Sequence, residues 1–165
     1  MKTLFLLRHA KSSWDNSTLP DIERPLNARG MRAAELIGAH LRKEKLSFDL
    51  ILSSPAVRAR ETIDIVLRTA KMQTDLRYDQ RIYEASSVTL IDVIVQIEEE
   101  KKTALLVGHN PGMEKLLEIL TGEIIHVSTG TLARIELKAS RWARLLESPR
   151  TLEWVVKPKD LAAVE

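Results

Sequence analysis

The stretch KTLFLLRHAKSSWD, residues 2–15, determines how the rest of the chain is interpreted. It begins with the apolar run LFLL at residues 4–7 and changes abruptly to Arg8 and His9. A short, continuous apolar run is typical of a strand that is buried on both faces of a parallel sheet. Arg8 and His9 are then either the ordinary polar end of a core strand or residues that carry chemistry, and the other strand ends decide between the two.

The rest of the chain alternates between strand and helix patterns. Short apolar or alternating runs predict further strands over residues 49–53, 76–78, 103–107, 131–137 and 151–156. Apolar residues at helical spacing predict helices over residues 34–41, 59–70, 90–97 and 113–120. This alternation predicts a layered α/β protein with a mostly parallel sheet, in one domain over residues 1–165.

Local signals also predict where two of the helices begin and where one ends. Ser54 and Asn110 are each followed by a proline, which favours an N-cap residue with Pro55 or Pro111 at the first helical position. Gly122 follows the last apolar-periodic segment and favours a helix end. Two helices are therefore expected to begin directly beyond predicted strands.

Composition excludes several classes of function. The 25 Lys and Arg are interleaved with 23 Asp and Glu, for a net charge of +2, so no basic stripe indicates nucleic-acid binding. The chain has no cysteine, which excludes disulfides and thiolate metal sites. The N-terminal apolar run is too short for a signal peptide or a membrane span. We therefore expect a cytoplasmic protein with neither a nucleic-acid nor a membrane partner.

Polar residues follow four of the predicted strands. Ligands of open α/β sheets bind beyond the carboxyl ends of the strands, where loops and helix N-termini converge. The residues found there are Arg8-His9, then Ser53-Ser54-Pro55 with Arg58, then Tyr83-Glu84-Ala85, then Gly108-His109-Asn110. Two arginines and two histidines are therefore expected at one edge of one sheet.

Such a set is suited to binding and transferring an anionic group. Guanidinium groups near helix N-termini bind phosphate or carboxylate, since their planar donors match these anions. A neutral His9 could attack phosphorus and carry the phosphoryl group covalently, while Arg8, Arg58 and His109 stabilise the negative charge that is transferred. Glu84 is either the proton donor to the leaving group or an ordinary surface glutamate.

Five blocks of sequence, in this order, together resemble a known family. They are LRHAKS at residues 7–12, RPL at 24–26 with RG at 29–30, SSP at 53–55 with RA at 58–59 and ET at 61–62, IYEA at 82–85, and VGHNPG at 107–112. The chain resembles the histidine phosphatase superfamily over nearly its whole length, and most closely the small SixA-like phosphohistidine phosphatases. Ala10 and Lys11 differ from the glycine and the acidic or amide residue that the mutase branch usually carries, which places mutase activity in doubt.

The resemblance implies a fold and a set of roles. It implies a phosphoglycerate mutase-like, three-layer α/β/α sandwich whose mostly parallel sheet includes one antiparallel strand. His9 corresponds to the phosphorylated nucleophile, Arg8, Arg58 and His109 to the rest of the phosphate pocket, and Glu84 to the proton donor of many relatives. The family uses no metal and no organic cofactor, and none is expected here.

Other polar residues of these segments are weaker candidates. Lys11 and Ser12 directly follow the nucleophile and are candidate phosphate donors, as is Ser13. Arg24 is near enough in sequence to reach the same edge of the sheet, although a substrate role is the less common interpretation. Trp14 either lines the mouth of the pocket or, as is commoner, packs in the interior. Two threonines, Thr129 and Thr131, lie close to His126 near the start of the late strands and are candidates to reach phosphate from that loop. His40 lies within a predicted helix, where a surface or partly packed position is the simplest interpretation.

These observations favour a metal-independent phosphatase that acts through a phosphohistidine intermediate on His9, with protein phosphohistidine as the preferred substrate. One alternative is a phosphatase of the same superfamily that acts on small phosphomonoesters. Another is a non-catalytic phosphate-recognition module, which the intact set of arginines and histidines argues against because binding alone does not need a nucleophile. A dinucleotide-binding domain fails because no glycine fingerprint follows the first strand.

Overall fold

A computed structural model describes residues 1–162 of the chain. The strands are β1 (Lys2–Arg8), β2 (Leu50–Ser53), β3 (Asp75–Tyr78), β4 (Thr103–Gly108), β5 (Leu132–Leu137) and β6 (Arg150–Val156). The helices are α1 (Ala28–Lys43), α2 (Val57–Ala70), α3 (Ser87–Val95), α4 (Gly112–Thr121) and α5 (Pro158–Ala162). All six predicted strands and all four predicted helices are present. The single domain over residues 1–165 stays a prediction, and its last three residues lie outside the described part.

The six strands form one sheet in the order β3-β2-β4-β1-β5-β6. β1, β4, β2 and β3 pair in parallel. β5 is antiparallel to both of its neighbours, β1 and β6, so it alone runs against the other five strands. The prediction of a mostly parallel sheet with one antiparallel strand is therefore confirmed, and β1 and β4 lie side by side at its centre.

The apolar run of β1 is explained by burial on both faces of the sheet. Successive side chains of a strand point to opposite faces. Leu4 and Leu6 pack in one apolar cluster with residues of α3 and α4, whereas Phe5 and Leu7 pack in a second cluster with residues of α1 and α2. The sheet therefore lies between two helical layers, which confirms the predicted α/β/α sandwich.

The predicted helix starts at Pro55 and Pro111 are wrong. α2 begins at Val57 after Ala56, and α4 begins at Gly112 after Pro111. The Asn110 side chain still accepts a hydrogen bond from the N–H of Glu114, at 3.2 Å. The Ser54 hydroxyl accepts from the Ala56 N–H at 3.2 Å, just before α2, and it also contacts a distant histidine described below. Gly122 does end α4, with a φ of 76° that suits glycine.

No helix within the described residues is both long enough and apolar enough to cross a membrane.

Candidate active site

The polar residues that follow β1, β2 and β4 line one cavity at the carboxyl edge of the sheet. The parallel ladder continues past β1, because the His9 N–H donates to the Gly108 carbonyl at 3.1 Å. The cavity has a volume of about 350 Å³. Its lining residues are Arg8, His9, Lys11, Ser12, Trp14, Asp21, Arg24, Arg58, Glu84, His109, Asn110 and Thr129. The predicted convergence of two arginines and two histidines is therefore present in the structure.

The ring of His9 is held in one tautomer. Its Nδ1 lies 2.7 Å from the Ala10 carbonyl oxygen, which can only accept, so Nδ1 carries the proton. In the neutral ring the Nε2 lone pair is then free. Burial, together with the positive charges of Arg58 and Arg8 and repulsion from His109 whenever that ring is protonated, outweighs the hydrogen bond to Ala10 and lowers the pKa of His9 to about 3. His9 is consequently neutral near pH 7 and presents an unprotonated nitrogen.

His109 occupies the neighbouring position with its ring centroid 5.1 Å from that of His9. Arg58 can only donate, so the 3.3 Å contact between its Nη2 and His109 Nδ1 makes Nδ1 the acceptor. Nε2 then carries the proton and donates it to the Ser54 hydroxyl oxygen at 2.7 Å. Burial first, and the Arg58 charge second, lower the pKa of His109 to about 4. Both histidines are therefore uncharged, and the positive charge of the pocket comes from its arginines and from Lys11.

Arg8 is held from the loop that precedes β5. Its Nη1 donates to the Val127 carbonyl at 3.0 Å. The same carbonyl accepts from the Asn110 side chain at 2.7 Å, and the Val127 N–H donates to Glu114 at 2.9 Å. Burial lowers the pKa of Arg8, and the nearby Glu114 carboxylate opposes that shift. The first turn of α4 thus fixes the loop that orients Arg8.

Asp21 is the lining residue that the sequence analysis missed. It belongs to a short 3₁₀ turn, Asp21–Glu23, and its carboxylate accepts from Arg24 at 2.9 Å, from Arg58 at 3.0 Å and from the Tyr83 hydroxyl at 2.6 Å. Its carbonyl also accepts from Arg58 Nη1 at 2.8 Å. Burial alone would raise the pKa of Asp21, but the hydrogen bonds from Tyr83, Arg24 and Arg58 outweigh it and lower the pKa well below the usual range. A permanent carboxylate therefore joins two guanidinium groups.

Arg24 lies in the cavity wall and is held by its neighbours. Its Nε donates to the Ser13 carbonyl at 3.2 Å, and its Nη2 donates to the Ser12 hydroxyl. The guanidinium carbon lies 3.3 Å from the centroid of the Trp14 ring. Trp14 is 76% exposed, so the expectation that it packs in the interior is wrong. Arg24 thus reaches the cavity, while the Ser12 hydroxyl is engaged by Arg24.

Three further lining residues lie near the mouth of the cavity. Lys11 and Glu84 are exposed, and Thr129 is half-buried. Glu84 has a φ of 50°, an uncommon conformation for a residue other than glycine. The sequence prediction that Lys11 and Glu84 reach the strand exits is consistent with these positions.

Other predicted candidates lie elsewhere. The Thr131 hydroxyl is 3.0 Å from that of Ser128 and does not line the cavity. His126 is exposed, with its Nδ1 3.7 Å from a Glu114 oxygen. His40 contacts Trp154 edge to face at 6.0 Å between ring centroids. Within residues 1–162, no group of three or more His, Cys, Asp or Glu side chains is arranged to hold a metal ion.

Several motif residues support the loops of the site instead of lining it. The Thr62 hydroxyl accepts from the Ala10 N–H at 3.0 Å, and Glu61 accepts from the Leu26 N–H at 2.8 Å. Gly30 allows α1 to approach the loop after His9, because a Cβ at this position would lie 2.1 Å from the Lys11 carbonyl oxygen. These contacts fix the backbone that follows the histidine and the loop that leads into α1.

The chain belongs to the histidine phosphatase superfamily. The family model for the histidine phosphatase superfamily (branch 1) matches residues 4–89, which include Arg8, His9, Arg58 and Glu84. An uncharacterised protein of Mycobacterium leprae is 37% identical over 119 residues, which cover 70% of this chain and 71% of that protein. Phosphohistidine phosphatase SixA of Escherichia coli is 24% identical over 162 residues, which cover 96% of this chain and 95% of SixA.

Solved structures agree with this placement. A candidate phosphohistidine phosphatase SixA from Agrobacterium tumefaciens superposes with a TM-score of 0.83 at 31% identity, covering 95% of this chain and 98% of that chain. Phosphoglycerate mutase from Bacillus anthracis superposes with a TM-score of 0.75 at 17% identity, covering 98% and 95%. The fold is therefore phosphoglycerate mutase-like, with SixA proteins among its structural neighbours.

Proposed function

We propose that the protein is a phosphatase that removes the phosphoryl group from phosphohistidine in proteins through a covalent phosphohistidine on His9. The observation that carries this proposal is the state of the His9 ring. A buried, uncharged imidazole with its proton held on Nδ1 presents its Nε2 lone pair to a cavity whose walls carry Arg8, Arg24 and Arg58. A phosphoryl group bound by those guanidinium groups would meet a nucleophile that is already deprotonated.

In the first step the Nε2 lone pair of His9 attacks phosphorus, and the bond from phosphorus to the nitrogen of the substrate breaks. When the other ring nitrogen of the substrate carries a proton, the ring leaves as neutral imidazole and needs no further proton. His9 then holds the phosphoryl group on Nε2 and keeps its proton on Nδ1, so the ring becomes cationic. The Ala10 carbonyl, 2.7 Å from Nδ1, stabilises that charge.

In the second step a water molecule attacks phosphorus, and the bond between phosphorus and His9 breaks. The proton that water loses passes to the Glu84 carboxylate or to a phosphate oxygen, and inorganic phosphate leaves. The arginines stabilise the equatorial oxygens in both steps, and they do so with little rearrangement because contacts within the protein hold Arg8, Arg24 and Arg58 in place. His9 returns to its starting tautomer.

The similarity to SixA proteins supports protein phosphohistidine as the substrate. The chemistry of the leaving group also supports it. Imidazole is a better leaving group than an alkoxide, so its departure depends less on an acid that donates a proton. A small phosphomonoester is the second candidate substrate, and the position of Glu84 at the cavity favours it, since an alkoxide needs a proton as it leaves. Glu84→Gln separates the two: we expect a small effect on phosphohistidine and a large one on an ester.

The proposed mechanism is tested by trapping the covalent intermediate. The protein is mixed with labelled phosphohistidine and quenched in alkali, and the protein-bound phosphate is then tested for lability in acid. We expect acid-labile phosphate on the wild type and on the matched control His40→Ala, and none on His9→Ala. Phosphate binding without any turnover would instead support a phosphate-recognition module.

Two outcomes contradict the mechanism. One is a wild type that turns over substrate without forming acid-labile protein phosphate. The other is a His9→Ala variant that still forms it, because the phosphoryl group would then be carried by another residue. A panel of phosphoramidate, phosphohistidine and a sugar phosphate, measured on the same preparation, ranks the substrate classes.

A further inference from the structure

Trp14 is the exposed aromatic residue at the cavity, and the mechanism above does not use it. It lies in the loop that leaves β1, five residues beyond His9, and it lines the cavity while remaining 76% exposed. The other two tryptophans differ, since Trp142 is fully buried and Trp154 is half-buried. A single exposed apolar side chain is common on protein surfaces, but Trp14 also lines the cavity, so a substrate that enters the cavity can contact it.

Contacts with Arg24 hold the indole ring in place. The guanidinium carbon is 3.3 Å from the ring centroid, close enough for stacking and cation–π attraction. Arg24 in turn donates to the Ser12 hydroxyl, to the Ser13 carbonyl and to Asp21. One face of Trp14 is therefore against a fixed cation, and the ring is presented to solvent in a set orientation.

The exposure of Trp14 indicates which part of a substrate it would meet. The phosphorylated imidazole is bonded directly to phosphorus, so it must follow the phosphoryl group into the cavity toward His9. An indole that is mostly outside the cavity is placed to meet the groups that remain outside, which in a protein substrate are the residues beside the phosphohistidine. A fixed tryptophan supplies a large contact area with little loss of side-chain freedom.

We infer that the free face of Trp14 is a docking platform for the polypeptide segment that carries the phosphorylated histidine. The inference rests on the proposed function and adds the residue that distinguishes a protein substrate from a small one. Lys11, exposed in the same loop, places a positive charge on the same side of the cavity. Because the free face of Trp14 is an aromatic ring, the platform suits segments with an apolar or aromatic side chain next to the phosphohistidine.

The test compares two substrates with the same leaving group. One is a histidine-containing decapeptide phosphorylated with potassium phosphoramidate, and the other is free N-phosphohistidine. For Trp14→Ala we expect KM for the peptide to rise about three- to tenfold, the range that one lost aromatic contact gives, with a clearly smaller change for free phosphohistidine. Trp14→Phe should retain most of the peptide affinity, because a ring still stacks on Arg24.

The matched control is Leu146→Ala. Leu146 is 51% exposed and lies between β5 and β6. The connection between β5 and β6 begins after Leu137. Leu137 pairs with Lys2, at the end of β1 that is farther from His9. Its replacement should leave KM for both substrates unchanged.

Each of the other results overturns the inference. An equal rise in KM for both substrates would mean that Trp14 acts through Arg24 on the phosphate pocket, and an unchanged KM for the peptide would mean that it contacts no substrate. A wild type that hydrolyses free phosphohistidine but not the peptide would overturn the protein substrate of the proposed function as well. The wild type alone reveals a failure of the proposed protein substrate, whereas a failure of the Trp14 inference appears only in Trp14→Ala. The two failures are therefore distinguishable.

Discussion

Two cavities of nearly equal size lie on this molecule and have very different walls. The cavity at the carboxyl edge of the sheet has a volume of about 350 Å³, and a second, between α1 and the β5–β6 pair, has about 320 Å³. The second cavity is lined by His40, Glu44, Leu46, Arg134, Trp154 and Val156. It too contains a histidine, an acid and an arginine, so the types of residue alone do not distinguish the two.

What differs is how the polar groups are held. In the first cavity His9 and His109 are buried, and Arg58 bonds both His109 and Asp21. In the second, Arg134 pairs with Glu136 outside the lining, and His40 packs edge to face with Trp154. A cavity becomes a reactive site when its polar groups are desolvated and hold one another in place, because only then are their protonation states and directions set.

The largest difference between the two cavities is expected for their arginines. Arg58→Ala should lower kcat/KM for phosphohistidine by about 10²- to 10³-fold, because it removes a fixed donor to the transferred phosphoryl group. Arg134→Ala, at the second cavity, should have no effect on kcat/KM. Steady-state kinetics on both variants, after circular dichroism has shown that each is folded, make the comparison. Similar losses in both variants would mean that Arg58 has no special place in the reaction.

A smaller difference is expected for the carboxylates. Asp21→Asn keeps the size of the side chain but removes the charge that holds Arg24 and Arg58, so kcat/KM should fall by about tenfold, near the lower limit of what one charge-assisted hydrogen bond contributes. Glu44→Gln, in the second cavity, should not change it.

Tyr83 reports whether this effect of Asp21 is electrostatic. Burial first, and the bond to Asp21 second, raise the pKa of Tyr83 to about 12. In Asp21→Asn the pKa of Tyr83 should fall toward the ordinary value of a tyrosine. Ultraviolet titration follows this pKa, and the titration of Tyr83→Phe is subtracted to remove the signal of Tyr78. A Tyr83 pKa that does not move would show that the carboxylate is not the partner of the phenol.

The sequence predicted the parts of the site that follow from buried strands. The apolar runs of β1 and β4 are imposed by burial on both faces of the sheet, and parallel strands necessarily bring their carboxyl ends to one edge. The positions of His9 and His109 follow from these two facts. Their tautomers do not, because each depends on a particular acceptor or donor, the Ala10 carbonyl and the Arg58 guanidinium.

The role of Asp21 could not be predicted in the same way. It lies 37 positions from Arg58 and 62 from Tyr83, and no periodic pattern connects a loop carboxylate with either. The only local signal was an acid three residues before Arg24, between two prolines. Ser54 is a second example: its sequence context indicates a local cap, and its hydroxyl does accept from the Ala56 N–H. The sequence did not predict that the same hydroxyl also bonds a histidine 55 positions away.

The last expected effect concerns stability in acid instead of catalysis. The pKa values of His9 and His109, about 3 and about 4, lie below the value of 6.5 for an ordinary histidine. Between those values and pH 6.5 the unfolded chain therefore binds more protons than the folded one. The free energy of unfolding should fall as the pH is lowered through this window, with each histidine contributing up to about 1.4 kcal/mol per pH unit.

Urea unfolding of variants at several pH values measures this slope. His9→Asn should flatten the dependence of the unfolding free energy on pH between about 6.5 and 4, and His9→Asn/His109→Asn should flatten it further. Leu46→Ala, in the wall of the second cavity, removes no titratable group and should lower the curve without changing its slope. If the slope of His9→Asn equalled that of the wild type, His9 would not be held uncharged in the folded protein, and the state of the ring on which the proposed mechanism depends would be wrong.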